Sequence, residues 1–125
     1  MPESSGLRNS GCIARATVYA LAAPGANTNI ITPFSVGDNA SAIRVTVCLT
    51  TSSVFNVRVT DGSTAYSMGL NASSALNAGD LYTFTFGARH YSSQTGTTAL
   101  TYSFQVETDS VINYLLVEEI IGAAV

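Results

Sequence analysis

The residue in this chain best suited to acid–base chemistry is His90, the one histidine in the sequence. It follows Arg89 in a polar stretch that predicts a loop over residues 89–98. A histidine activates a nucleophile when a third group orients its ring. Serine and threonine make up about a quarter of the 125 residues, so a hydroxyl group near His90 carries little information. We therefore interpret His90 as a solvated loop residue and predict a protein that is not an enzyme and needs no cofactor.

The acidic side chains could hold a cation or form a glycosidase pair, but their spacing favours structural roles. Glu107 and Asp109 lie two residues apart near a predicted strand end and could share a cation. Glu118 and Glu119 are flanked by apolar residues, a pattern that favours pairing with an arginine or protection of a sheet edge. No stretch alternates acids as a calcium loop does, so we predict no metal site. Acids that fit turns for backbone reasons are Asp38, Asp61 and Asp80.

Two cysteines, Cys12 and Cys48, are too far apart in sequence for a zinc signature. A disulfide between them stays open, because its formation depends on a distance that the sequence does not give. The favoured interpretation is two thiols that serve as small buried side chains.

Charge is scarce, at 10% of residues, and the net charge is -3. The five cations are scattered arginines, which argues against nucleic-acid binding. No apolar run approaches the ~20 residues that cross a membrane, and the first six residues lack the features of a secretory signal. A neutral surface rich in small hydroxyls suits either a protein packed against neighbours or a plain neutral β domain.

Hydrophobic alternation predicts an all-β protein, an antiparallel β-sandwich of about eight strands with a jelly-roll-like arrangement. The expected domain covers residues 12–121, between an extended arm at 1–11 and an apolar tail at 122–125. The last strand is apolar on both faces, so we expect both faces to be covered. The predicted strands are 12–22, 29–32, 42–50, 54–60, 64–70, 81–88, 100–107 and 111–120.

Three stretches carry a resemblance to a known kind of protein. They are Leu-Asn-Ala-Gly-Asp-Leu-Tyr-Thr-Phe at 76–84, Ser-Phe-Gln-Val at 103–106, and Ile-Asn-Tyr-Leu-Leu-Val-Glu-Glu-Ile at 112–120. Together they resemble the carboxyl-terminal part of small β-sandwich structural proteins of tailed bacteriophage virions, most of all capsid decoration (cement) proteins. The resemblance covers about a third of the chain and transfers no active-site residue.

The resemblance implies a virion protein, made in the host cytoplasm, that clamps the major capsid protein or other virion subunits. It also implies a homo-oligomer, with a trimer favoured. The residues expected at its contacts are Leu7, Arg8, Leu115, Val117, Ile120, Ile121 and Val125.

The alternative function is a monomeric carbohydrate-binding β-sandwich, which would present an exposed aromatic ring near Tyr66 or Tyr91.

Overall fold

The computed structural model describes residues 12–22, 24–37, 40–91 and 98–121, so the predicted arm, the predicted tail and Asp38 lie outside the described residues. Among the described residues no helix is long and apolar enough to cross a membrane. For the first strand the backbone alone is described. The strands are β1 (Cys12–Ala22), β2 (Ala40–Leu49), β3 (Phe55–Thr60), β4 (Ala65–Gly69), β5 (Leu81–Gly87), β6 (Thr101–Val106) and β7 (Ile112–Ile121).

These strands form two antiparallel sheets. The four-stranded sheet has the order β1-β7-β2-β5, and the three-stranded sheet has the order β4-β3-β6. Consecutive strands β3 and β4 pair as a hairpin, whereas β1 pairs with β7 from the other end of the chain. The edge strands are therefore β1 and β5 in one sheet and β4 and β6 in the other. Residues 27–34 hydrogen-bond to the outer edge of β6. Among the described residues the edges of β4 and β5 are free, and both border the second candidate surface.

Alternating apolar residues explain how the two sheets pack. In β2 every second side chain is fully buried, beginning with Ile43 and ending with Leu49. From the opposite sheet, Phe55 and Phe104 stack with ring centroids 5.6 Å apart. Phe86 of the four-stranded sheet meets Phe104 edge-on at 6.3 Å, so aromatic rings join the two layers. The predicted antiparallel β-sandwich is thus confirmed in its class and its core.

The number of strands differs from the prediction, because seven are seen among the described residues and not about eight. The missing strand is the one expected at residues 29–32. The wider segment 27–34 does hydrogen-bond to β6, through the N–H groups of Asn27, Ile30 and Phe34. Those donors are three and four residues apart, whereas a regular strand directs every second N–H to the same neighbour. Pro33, which has no N–H, adds to the irregularity.

The last strand, β7, is less deeply covered than its sequence suggests. Leu115 and Val117 are fully buried between the sheets. Tyr114 and Leu116 point away from the core and are half-buried, so the outer face is partly accessible in the single chain. Ile112 is also buried, because the β2–β7 register shifts between Cys48 and Leu49. This irregularity changes which face the first residue of the strand occupies.

The hairpin predicted at Asp61-Gly62 forms as expected. Gly62 has φ of 99°, a conformation that glycine adopts at low cost. The Asp61 carboxylate accepts hydrogen bonds from the N–H groups of Ser63 (3.0 Å) and Thr64 (2.8 Å). These bonds lower the pKa of Asp61 below its ordinary value of 3.8, and the bond from Thr64 has the largest effect. The acid therefore serves the turn, as the sequence indicates.

Candidate binding surfaces

The side chains first considered for catalysis hold the structure together. His90 is half-buried, and its Nδ1 hydrogen-bonds to the carbonyl oxygen of Val36. Its ring also meets Tyr91 edge-on at 4.3 Å. His90 does lie in a loop, as predicted, but it is not fully solvated, because the chain folds back onto residue 36 and partly covers the ring. These contacts fix the loop after β5.

The four acids near the carboxyl end act in separate places. Asn56 donates to Glu107 at 2.9 Å, and the Ala26 N–H donates to Asp109 at 2.5 Å, so these two carboxylates have different partners. No group of three or more His, Cys, Asp or Glu side chains that could hold a metal ion occurs within the described part of the chain. The two carboxylates thus anchor two different segments.

Glu118 and Glu119 point to opposite sides of the four-stranded sheet. Glu118 pairs with Arg44 at 2.8 Å, which confirms the predicted arginine partner. The hydrogen bond from Arg44 lowers the pKa of Glu118. Glu119 is 4% exposed and accepts a hydrogen bond from the Gly37 N–H at 2.7 Å. The sequence analysis missed this buried role, although Glu119 shares the two-residue period of Leu115 and Val117.

Cys48 is a free thiol. It lies opposite Tyr114 on β7, whereas Cys12 lies opposite Ile120. Six residues along a strand correspond to about 20 Å, far beyond the ~7 Å between Cα atoms that a disulfide can bridge. The register therefore excludes the disulfide that the sequence left open.

The predicted contact residues differ in their accessibility. Leu115 and Val117 lie in the core, where they pack against the opposite sheet, so the single chain does not offer them to a partner. Ile120 and Ile121 are half-buried at the end of β7 and remain accessible. Leu7, Arg8 and Val125 lie outside the described residues.

A first candidate surface is the outer face of the four-stranded sheet, which we define by the outward side chains of β2, β5 and β7. Its one charged pair is Arg44 and Glu118, which neutralise each other. Thr46 lies near its centre, 3.2 Å from Thr83 through their hydroxyl oxygens, and Leu81 at its border is 65% exposed. The members of the outer face are Ala42, Arg44, Thr46, Cys48, Leu81, Thr83, Thr85, Tyr114, Leu116, Glu118 and Ile120.

A second candidate surface is a groove of about 570 Å³ between the free edges of β4 and β5, called the Tyr66 groove below. Tyr66 and Met68 of β4 pair with Val59 and Val57 of β3, so they lie on the inner side of their sheet. They are nevertheless 60% and 49% exposed. The lining residues are Ser41, Val59, Tyr66, Met68, Phe86, Gly87, Ala88, Arg89, Leu100 and Tyr102.

One rim of the Tyr66 groove is held rigidly. The buried hydroxyl of Tyr102 accepts a hydrogen bond from the Arg89 N–H at 3.1 Å and donates to the Arg89 carbonyl oxygen at 3.3 Å. The Ala88 N–H donates to the Ser41 carbonyl oxygen at 3.1 Å. The backbone that carries Arg89 is thus fixed, while its exposed side chain extends from that rim.

No protein-family model matches the chain, and no curated protein matches its sequence. Among solved structures, the coat protein dimer of Tobacco streak virus is similar with a TM-score of 0.44 and 9% identity, over 94% of this chain and 89% of that one. The N-terminal cellulose-binding domain of Cellulomonas fimi β-1,4-glucanase C is similar with a TM-score of 0.33 and 15% identity, over 94% of this chain and 80% of that domain. Both TM-scores are below 0.5, so neither likeness assigns a function to this chain.

Proposed function

We propose that the protein is a non-enzymatic structural subunit of a bacteriophage virion that decorates the capsid and stabilises it through contacts between subunits. The observation that carries the proposal is the outer face of the four-stranded sheet, where outward side chains are small or apolar and the one ion pair is internally balanced. The centre of a protein interface is depleted of charge in the same way. Such a face can be buried without stranding an unpaired charge.

The size of the outer face fits this role. With β1 included, the four strands of this sheet are seven to eleven residues long and about 4.8 Å apart, so the whole sheet covers roughly 600 Å². A standard interface buries about 800 Å² on each partner, so this face with its rim suffices for a specific contact. A subunit that binds the assembled capsid and not its free components stabilises the assembly by mass action.

The proposal includes a trimer, with the arm at 1–11 and the end of β7 as contacts between copies. A threefold ring needs two different complementary patches on each copy, because a heterologous interface generates it. Leu7 and Arg8 would belong to one patch, and Ile120, Ile121 and Val125 to the other. The outer face would then remain available for the capsid.

The proposed fold is a jelly roll in which one strand is irregular. The pairings that support it are nested: β1 with β7, residues 27–34 with β6, β2 with β5, and β3 with β4. This is the pattern of one long hairpin, with its tip between β3 and β4, wound into two sheets.

Cosedimentation with empty capsids tests the capsid contact. Thr46→Lys places a charge near the centre of the outer face, and Thr64→Lys places the same charge in the exposed turn between β3 and β4 as a control. We expect the Thr46 variant to lose attachment and the Thr64 variant to keep it. Equal attachment of both variants would refute a contact through the outer face.

Sedimentation of the free protein at micromolar concentration tests the trimer. The expected mass is about three times the 13.0 kDa of the chain. Deletion of residues 1–11 is expected to leave a folded domain that neither trimerises nor attaches to capsids. Unchanged mass and attachment would show that the arm has no such role.

A second candidate function, carbohydrate binding, is favoured by a different observation, the exposure of Tyr66 beside a groove. It does not require the outer face, so one protein can have both functions.

A further inference from the structure

We propose that the Tyr66 groove is a saccharide-binding site, in which a sugar ring stacks on Tyr66 and the Arg89 guanidinium donates hydrogen bonds to hydroxyl or carboxylate oxygens of the sugar. The inference rests on the second candidate function and assigns it a place and a set of residues. It is independent of the capsid contact, which uses the opposite side of β5.

Tyr66 is exposed although it lies on the inner side of its sheet. Its pairing with Val59 directs it to the side of the sheet that elsewhere forms the core. Strand β5 ends the four-stranded sheet before it covers β4, so an aromatic ring and the Met68 side chain remain accessible. An aromatic ring held by a strand at the wall of a groove offers a flat apolar surface of the kind that the C–H face of a pyranose covers.

The Tyr66 groove has the size of a ligand-binding site. Its volume of about 570 Å³ falls within the ~300–1,000 Å³ typical of ligand sites. A smaller recess of about 160 Å³ adjoins it and is lined by Val59, Leu100 and Tyr66 as well. Tyr66 therefore stands between two hollows, which suits a chain of linked sugar rings more than one compact ligand.

Arg89 adds a polar side chain to the lining of the Tyr66 groove. Sugar recognition needs donors and acceptors at the edge of an apolar wall. Within the described residues, the Arg89 guanidinium has no hydrogen-bond or ion-pair partner, and its backbone is clamped by Tyr102. A guanidinium offers five N–H donors in a fixed plane. At the smaller recess Asp61 and Thr64 supply oxygen atoms.

The test uses the isolated 125-residue chain and two defined probes, a neutral glucan hexasaccharide and an oligogalacturonate. Titration followed by NMR is expected to shift the amide signals of Tyr66, Met68, Gly87 and Arg89 with at least one probe. If the protein prefers the oligogalacturonate and Arg89→Ala removes this preference, the Arg89 guanidinium binds a carboxylate of the sugar. Equal binding of both probes, weakened equally by Arg89→Ala, would assign hydroxyl oxygens to it.

Three variants test whether the aromatic ring of Tyr66, and not the loss of any exposed apolar side chain, accounts for sugar binding. Tyr66→Ala is expected to weaken binding at least about tenfold, whereas Tyr66→Phe, which keeps the ring, is expected to stay within about threefold. Leu81→Ala is the matched control, because Leu81 is equally exposed but lies on the outer face. Thermal unfolding of each variant checks that the fold is retained.

Absence of signal shifts with both probes at millimolar concentration would overturn the site. So would shifts confined to residues outside the groove, or equal losses for Tyr66→Ala and Leu81→Ala. None of these outcomes affects capsid attachment, which is measured separately, so the two proposals fail independently.

Discussion

Two neighbouring leucines on β7 allow core packing and surface contact to be tested on one strand. Leu115 is fully buried between the sheets, whereas Leu116 lies on the outer face and is half-buried. Replacing each with alanine removes the same atoms from two different environments. We expect Leu115→Ala to destabilise the domain and Leu116→Ala to weaken attachment to capsids.

The magnitudes follow from burial. Truncation of a buried leucine to alanine costs about 2–5 kcal/mol, because the lost transfer energy is joined by the energy of the cavity. For a domain of this size, a loss of about 3 kcal/mol lowers the melting temperature by roughly 10 °C. Leu116 is already partly in contact with water, and its truncation leaves no enclosed cavity, so about 1 kcal/mol is expected for Leu116→Ala.

Thermal unfolding followed by circular dichroism measures the first effect, and cosedimentation with empty capsids below the melting temperature measures the second. Folded Leu115→Ala is expected to attach as the parent does. If Leu116→Ala destabilises as strongly as Leu115→Ala, the outer face is already covered within the chain. If Leu116→Ala attaches normally, the side chain of Leu116 does not contribute to the capsid contact.

Two further predictions concern single contacts. Glu118→Gln removes a partly exposed ion pair with Arg44 and is expected to cost less than about 1 kcal/mol at pH 7. Since Arg44 lowers the pKa of Glu118, this stabilisation is present above the ordinary pKa of 4.5 and is lost as the pH falls through the lowered pKa of the folded state. Urea titrations should therefore show a smaller difference in the free energy of unfolding between variant and parent at pH 3 than at pH 7. Gly69→Ala is expected to destabilise by about 1–3 kcal/mol in the same titration at pH 7, because a Cβ atom there would lie 2.6 Å from the Ser73 Cα; a neutral result would mean that the turn after β4 can move aside.

Local patterns in the sequence predict most strands because each strand buries one face. The alternation at 42–50 places Ile43 and Leu49 in the core, as observed. The first strand, Cys12–Ala22, has the predicted limits, and Asp61-Gly62 marks the observed turn. In each case the side-chain period or the backbone preference of glycine acts within a few residues, so no knowledge of distant partners is needed.

Features that depend on distant partners were not predictable. The segment at 29–32 has β-branched residues typical of a strand, but its hydrogen bonds to β6 are irregularly spaced. The partial burial of the loop residue His90 was not predictable, because nothing near it in sequence indicates its contact with Val36. Glu119 has the two-residue spacing of the core side chains of β7, but carboxylates usually lie at the surface. It is buried because the Gly37 N–H, which is distant in sequence, donates a hydrogen bond to it.

Contacts between distant parts of the chain also determine where the Tyr66 groove lies, at the free edges of the two sheets. Alternation tells which side chains share a face, but the extent of the opposite sheet determines whether that face is covered. Strand β4 carries Tyr66 and Met68 on its inner side, yet the opposite sheet ends at β5 and leaves them exposed. A nonpolar inner face left open at two free edges can either pair with another chain or accept a ligand. Tyr102 fixes one rim of the groove, and among the described residues the Arg89 guanidinium has no partner; both features favour a polar ligand. The sugar titration therefore tests ligand binding against pairing with another chain.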